Sequence, residues 1–279
     1  MSEIVAGTLY VVATPIGNLG DLTPRAREVL AGVSAIGAED TRNTAVLLGQ
    51  FGIGTPLVAV HDHNEGDIAA KLVARLQAGD SLALVSDAGT PLVSDPGYRL
   101  VRAVREAGLP VVPVPGACAA IAALSVAGIP SDRFCFEGFL PVKGGARRER
   151  LGELLSETRT LVFYESSHRI EESLADLVAV FGPEREATLG RELTKRFETL
   201  LGPTLAAIQQ AVAADANQRK GEFVLVVRGS VDREAAQLAE GKRLYAKLAA
   251  HLKPSQAAKL AAELSGAPRK ALYVGGDAS

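Results

Sequence analysis

The chain has 279 residues, with 30 Lys and Arg set against 32 Asp and Glu for a formal charge of −2. That balance excludes a protein coated in positive charge, but leaves room for a local basic patch able to hold phosphate. A content of 47% apolar and 22% charged residues is ordinary soluble globular composition, and two cysteines, Cys118 and Cys135, make no disulfide framework and show no metal-ligand spacing.

In chain order, Leu9-Tyr10-Val11-Val12-Ala13 is a short apolar run halted at Thr14-Pro15, which predicts a buried strand entering a loop. Thr23-Pro24 supplies an N-cap and a first-turn proline for a helix stopping near Gly32. A strand is predicted over 57–60, then a helix with the apolar stripe Ile68, Leu72, Val73 and Leu76, then a strand over 82–85. After a loop of Gly, Pro and Asp (86–97) come a helix over 98–107 and a strand over 111–114. Strands alternating with helices predict an α/β fold with a mostly parallel sheet covered on its faces.

The stretch 141–150 is polar, basic and glycine-containing, and reads as an interdomain linker between a first domain (1–140) and a second (151–234). The second domain restarts with a strand over 160–164 and a helix over 168–181, with further strands at 187–190 and 223–227. From 235 to 279 the pattern is helical, with Ser255 as a cap for a helix running to Leu264 and Pro268 opening another after Gly266. No basic segment followed by an apolar stretch opens the chain, and no apolar run approaches membrane-spanning length, so a reducing, cytoplasmic setting without a membrane partner is expected.

In an open parallel sheet ligands bind beyond the carboxyl ends of the strands. Three loops are predicted there, 14–20, 86–97 and 115–118, all rich in Gly and Pro, which let backbone approach a ligand and stiffen the loop beforehand. The dinucleotide fingerprint and the phosphate-binding P-loop are both missing. Asp87 and Asp95 flank Gly89-Thr90-Pro91; they suit ligand hydroxyls or loop shaping better than Mg²⁺. His61-Asp62-His63-Asn64-Glu65 places two histidines on one side of an extended segment, but without a third ligand it reads as a polar pocket rim, and no metal is expected. Glu165-Ser166-Ser167-His168 lacks a nucleophile elbow, which disfavours hydrolysis.

The same loops carry a resemblance. LYVVATPIGNLGDLTPRA (9–26), AEDTRNT (38–44), HDHNE (61–65), LVSDAGTPLVSDPGYRLV (84–101), VPVPGACAAIAALSVAGIPSDRFCFEGFLP (112–141), LVFYESSHRI (161–170), GRELTKRFE (190–198) and GEFVLVV (221–227) occur in family order. In these the chain resembles the tetrapyrrole-methylase-like class of S-adenosylmethionine enzymes, and within it the branch that 2′-O-methylates a cytidine of small-subunit (16S) ribosomal RNA. The resemblance implies two α/β domains with the cofactor cleft between them, a small C-terminal helical segment and a homodimer. It implies S-adenosyl-L-methionine held by Pro15, Ile16, Gly17, Asp87, Gly89, Thr90, Val93, Ser94, Ala117 and Cys118, with Tyr164, Leu193, Glu222 and Phe223 around adenine and ribose. The chain departs from the class in reading Asp-Ala-Gly-Thr-Pro (87–91) where many tetrapyrrole methylases have Gly-Asp-Pro.

A sulfonium carries its own leaving group, so catalysis needs alignment and acceptance of the hydroxyl proton. Asp95, Glu165 and His61 are candidate bases, and Lys195 and Arg169 candidates to hold phosphate or a developing alkoxide. RNA contacts are expected from Arg42, Lys143, Arg147, Arg148 and Arg150, and from Arg269 and Lys270 in the C-terminal segment. An unstacked cytidine favours RNA of the assembled small subunit over a regular duplex, and DNA is not expected. The alternatives are a tetrapyrrole C-methyltransferase and a non-catalytic RNA-binding protein that retains the pocket.

Overall fold

The computed structural model describes residues 4–61, 64–231 and 233–272, and the chain divides into two units. One runs up to Ala122 and takes in Glu192–Glu198; the other holds Ala123–Arg191 and the chain from Thr199 onward. The change of unit after Ala122 comes earlier than the expected domain boundary at residue 140.

The first unit contains β1 (Leu9–Val12), α1 (Pro24–Gly32), β2 (Ala35–Ala38), α2 (Thr41–Gln50), β3 (Leu57–Ala59), α3 (Glu65–Gln77), β4 (Leu82–Val85), α4 (Tyr98–Glu106), β5 (Val111–Val114) and the start of α5 (Ala119–Val126). Its five strands are all parallel in the order β3-β2-β4-β1-β5. Alternation sends Tyr10, Val12, Ile36, Ala83 and Val85 toward α1 and α2, and Leu9, Ala35, Leu82 and Leu84 toward α3 and α4. Both faces are covered, so the strands are apolar throughout. Thr23 caps α1 as expected, its Oγ1 accepting from the amide of Ala26 at 3.1 Å, with Pro24 at the first helical position.

Two elements lack a strong sequence signal, β2 and α2. β2 reads Ala-Ile-Gly-Ala, all four residues buried. Burying a side chain such as Ile36 is worth about 1.5–3 kcal/mol, more than the strand-propensity range of about 1 kcal/mol. Burial therefore decides the element.

The second unit contains β6 (Phe134–Phe139), α6 (Gly144–Leu154), β7 (Thr160–Ser166), α7 (Ile170–Phe181), β8 (Ala187–Arg191), β9 (Thr199–Leu201), α8 (Leu205–Ala214) and β10 (Glu222–Val227). Its sheet runs β6-β7-β10-β8-β9. Only the β6–β7 pair is parallel; the rest are antiparallel, so this sheet is mixed where that of the first unit is parallel. Leu161, Phe163, Phe223 and Leu225 face α6, α7 and α8 in one core. The expected linker 141–150 is largely the first half of α6, because Arg147, Leu151 and Leu154 turn one face inward.

The C-terminal helices are α9 (Arg233–Ala249), α10 (Pro254–Ser265) and α11 (Arg269–Leu272). Ser255 is not the cap of α10: Lys253 occupies that position and Pro254 begins the helix. Gly266 closes α10 in the left-handed region at φ 74°, as a glycine beyond a helix end can. Gly241 lets α9 lie close against α11 and the turn that leads to it; a Cβ there would lie 2.7 Å from Leu272 and 2.8 Å from Ala267.

Candidate functional site

β1 lies between β4 and β5, so the loops leaving these three strands emerge side by side. They are bonded to one another. The Thr14 amide donates to the Gly89 carbonyl at 2.8 Å and the Gly89 amide returns the bond to Thr14 at 3.1 Å. Thr90 Oγ1 donates to the Ala117 carbonyl at 2.9 Å. Gly89 adopts φ 82°, and a Cβ there would sit 3.2 Å from Ile16 Cγ2 and 3.7 Å from the Ala117 oxygen. The positive φ favours glycine, and the fit against Ile16 is tight. Pro15, Ile16, Gly17, Gly89, Thr90 and Ala117 are thereby gathered at one edge of the sheet. The Val93 amide closes a turn onto the Thr90 carbonyl at 3.3 Å, and the Cys118 carbonyl accepts from Ala122 at 2.9 Å inside α5.

Asp87 is engaged from the α2 side. Its Oδ1 accepts from the Asp40 amide at 3.0 Å and its Oδ2 from Asn43 Nδ2 at 2.9 Å. It therefore shapes the loop, tying the end of β4 to the start of α2. Asp40 caps α2 through the Arg42 amide, and the Arg42 guanidinium holds its carboxyl at about 2. Asp95 behaves oppositely. Burial raises its carboxyl above the ordinary range; a Ser86 hydrogen bond opposes this and the Asp87 charge adds to it.

The segment Glu192–Glu198, expected in the second domain, belongs to the first unit. The side chain of Lys195 crosses Gly17 so closely that a Cβ at Gly17, where φ is 142°, would overlap Lys195 Cγ. Lys195 Nζ pairs with Glu192 Oε1 at 2.8 Å, the Thr194 amide donates to Glu198 Oε2 at 2.6 Å, and Leu193 is buried. Among the described residues, the non-glycines with positive φ are Leu92, Ser94, Glu192 and Thr194, all in this segment or in the loop after β4. Backbone strain of this kind costs about 1–3 kcal/mol per residue and is retained where surroundings enforce it, commonly at functional sites.

In the second unit several expected site residues have internal work. Glu165 is buried: one oxygen takes Arg169 Nη2 at 2.7 Å and the Ser166 amide at 2.8 Å, the other Ser173 Oγ at 2.6 Å. Both of its oxygens are thereby engaged by neighbours within the second unit. Arg169 also donates to the Leu140 carbonyl at 3.0 Å, so it braces the chain after β6. The Phe223 side chain lies in the core, leaving only its main chain for a ligand, whereas Glu222 is exposed and Tyr164 half-buried.

The basic candidates also divide. Arg147 is 3% exposed and bound to Asp176 at 2.6 Å and Glu172 at 3.3 Å. It is a structural cation and not a phosphate contact. Burial alone would raise Asp176, but hydrogen bonds from Arg147 and Arg148 outweigh it and hold the carboxyl below its ordinary range. Arg148 remains half exposed, Arg150 is shared between Glu137 and Glu153, and Lys143 is exposed. Arg269 and Lys270 are exposed on α11, with Arg269 Nη2 on the Ser255 carbonyl at 3.2 Å. Of the 61–65 motif, Asp62 and His63 lie outside the described residues. His61 follows β3, its carbonyl accepting from the Asn64 and Glu65 amides, each at 2.9 Å. Glu65 is buried and accepts from the Leu100 amide at 3.0 Å, satisfying the first turn of α4.

Thr14, Asp40, Asn43 and Glu192 complete the site's framework without having been singled out from sequence. Only Asp40 carried a usable signal, an acidic residue before Thr-Arg-Asn in N-cap position.

A family model described as Tetrapyrrole (Corrin/Porphyrin) Methylases matches residues 8–209, and one described as the RsmI C-terminal HTH domain matches 235–274. A Xylella fastidiosa (strain Temecula1) protein named Ribosomal RNA small subunit methyltransferase I is 63% identical over 96% of this chain and 98% of its own length. A protein of the same name from Escherichia coli O157:H7 is 55% identical over 96% of this chain and 93% of its own. A solved structure of uroporphyrin-III C-methyl transferase from Thermus thermophilus, complexed with S-adenyl homocysteine, superposes with TM-score 0.54 at 19% identity, covering 78% of this chain and 96% of that one. At that identity the likeness is one of fold.

Proposed function

The chain belongs to the tetrapyrrole (corrin/porphyrin) methylase family, and from that premise we propose that it moves the methyl group of S-adenosylmethionine to the 2′-hydroxyl of a cytidine in small-subunit ribosomal RNA. The observation that carries this is 63% identity, over 96% of the chain, to a relative named for methylation of that RNA. The helix-turn-helix match over 235–274 supports a nucleic-acid partner. We read the protein as a cytoplasmic homodimer acting on RNA within the assembled subunit; no helix among the described residues is long and apolar enough to cross a membrane.

The residues of the first unit fit the cofactor. Gly89 lets the loop after β4 close against Ile16 and Ala117, which holds the three loops together where this reading puts the amino-acid end of the cofactor. Pro15, Ile16 and Val93 offer apolar surface for a thioether. When bound, S-adenosylmethionine supplies an electrophilic methyl on a sulfonium that departs as a neutral thioether. Loops 14–17, 87–94 and 117–118 hold it in this reading, together with Leu193 of the same unit.

Fixing the hydroxyl in line with the methyl contributes about 7–11 kcal/mol in favourable cases. Asp95 is the base we favour over His61 and Glu165, because burial gives its carboxyl a higher proton affinity than an ordinary aspartate. A positioned base contributes about 10²–10⁴ in rate. Lys195, whose side chain crosses Gly17, is the cation this reading assigns to a developing alkoxide.

The test supplies tritiated cofactor to small subunits from cells lacking this protein and maps the label. Tritium on the ribose of one cytidine is expected. Label on a base, label only on porphyrinoids supplied in parallel, or none at all overturns the reading.

A further inference from the structure

β6 is the edge strand of the second sheet, and its pairing with β7 shifts register between Phe136 and Gly138, where Gly138 takes φ 62°. A bulge of this kind re-aims side chains. Here it turns Phe136 and Phe139, three residues apart, onto the same neighbour. The Phe136 ring meets Tyr164 edge to face with centroids 4.9 Å apart at 71°, and the Phe139 ring meets it at 5.7 Å and 67°. Without the shift, strand alternation would send these two rings to opposite faces.

The cluster does not belong to the helix-covered core. Phe163 and Glu165, on either side of Tyr164, point toward α7, so Tyr164 points to the other face of the sheet. Phe139 is 53% exposed, an unusual state for a ring already held by aromatic neighbours. An edge-to-face contact uses at most one face of each ring, so Phe139 keeps a rigid, wetted face.

The chain beyond it is fixed and basic. Arg169 Nη1 grips the Leu140 carbonyl at 3.0 Å, and four residues after Phe139 the exposed Lys143 stands at the start of α6, where its side chain makes no capping bond. Arg148, one turn into that helix, is 56% exposed.

A rigid exposed ring beside cations is the arrangement that takes an unstacked base and its phosphate: any base offers a π face, and the cation meets the backbone. We propose that Phe139, backed by Phe136 and Tyr164, is a stacking platform for an unstacked nucleobase of the RNA substrate, with Lys143 on the adjoining phosphate. The proposal rests on the RNA reading above and extends it to residues outside the cofactor loops. The adenine of the cofactor is the other base that could be stacked, and the test distinguishes the two.

The experiment compares wild type with Phe139→Ala, Phe139→Trp and Lys143→Ala. Each is measured for KM and kcat on small subunits lacking the methyl group, and for cofactor affinity by calorimetry. Loss of one stacked base raises KM for subunits in Phe139→Ala by about 5- to 150-fold, while cofactor affinity stays within two-fold and Phe139→Trp keeps near-wild-type KM. Lys143→Ala raises KM and lowers its dependence on salt. Unchanged KM in Phe139→Ala overturns the platform, and so does a drop in cofactor affinity, which would make it an adenine shelf. Equal losses in Phe139→Ala and Phe139→Trp overturn it too, since stacking would not explain them. Wild-type protein that labels no subunit RNA refutes the RNA reading itself, a result separate from any difference among variants.

Discussion

The side chain of Lys195 occupies the space that a Cβ at Gly17 would need. The two residues are far apart in sequence, one in the first loop of the parallel sheet and the other in a segment that returns from the second half of the chain. Gly17→Ala must displace Lys195 and also force φ 142° on a residue with a Cβ. We expect cofactor affinity to fall about ten-fold, on the order of 1.4 kcal/mol, measured by calorimetry. Wild-type affinity in a folded Gly17→Ala protein would show that this contact is irrelevant to the site.

Lys195→Ala tests the cation separately. With Gly17 uncrowded, cofactor binding should remain within a few-fold while kcat falls by about 10²–10³, the scale of losing one group that stabilises developing charge. A loss confined to cofactor affinity would assign Lys195 to binding and not to the reacting oxygen.

Asp95 has a carboxyl raised above 3.8 by burial, so its active, ionised form is depleted as pH falls through that raised value. The acid limb of kcat/KM should therefore lie above the range of an exposed aspartate. Asp95→Asn should remove the limb and lower the rate by about 10²–10⁴. An unchanged acid limb in Asp95→Asn would show that another group takes the proton.

Arg147 and Asp176 make a stability prediction. Removing a buried partner of an ion pair costs about 3–5 kcal/mol, and Arg148 stays on Asp176, so Arg147→Met should fall at the lower end, read from urea unfolding. Asp176 has a folded-state value below 3.8, so its contribution is fully present above that pH and is lost as pH falls through the depressed value. Wild type should lose stability over that window, and Asp176→Asn should lose less across it. RNA affinity of Arg147→Met should be unchanged wherever the protein is folded.

The exposed cations Arg269 and Lys270 give the opposite pattern. Replacing both with alanine should leave the unfolding midpoint in place while weakening RNA binding uniformly. The slope of log affinity against log salt should become shallower by about 0.7–0.9 for each phosphate that the variant no longer neutralises. A salt slope identical to wild type would remove α11 from the RNA interface.

Local signals made the first unit readable. Thr23-Pro24 marked α1, the run 82–85 marked β4, and the Gly- and Pro-rich loops marked the edge where Thr14, Gly89, Thr90 and Ala117 meet. What stayed hidden depends on long-range packing. β2 is a strand because it is buried on both faces, not because Ala-Ile-Gly-Ala prefers it. The bulge at Glu137 and Gly138 obscures the alternation of β6, and the basic stretch before Leu151 resembles a linker because Arg147 is a charged residue in an interior position. Nothing near Lys195 announces that its segment completes the other unit.

That return of Glu192–Glu198 to the first unit has a consequence for biosynthesis. A ribosome making this chain releases the whole parallel sheet long before the strip that covers Gly17. The nascent chain therefore leaves Gly17 without Lys195 across it until most of the second unit has been made. The first unit is thus assembled late in translation, and a single proteolytic cut after Ala122 parts its sheet from the strip that completes it.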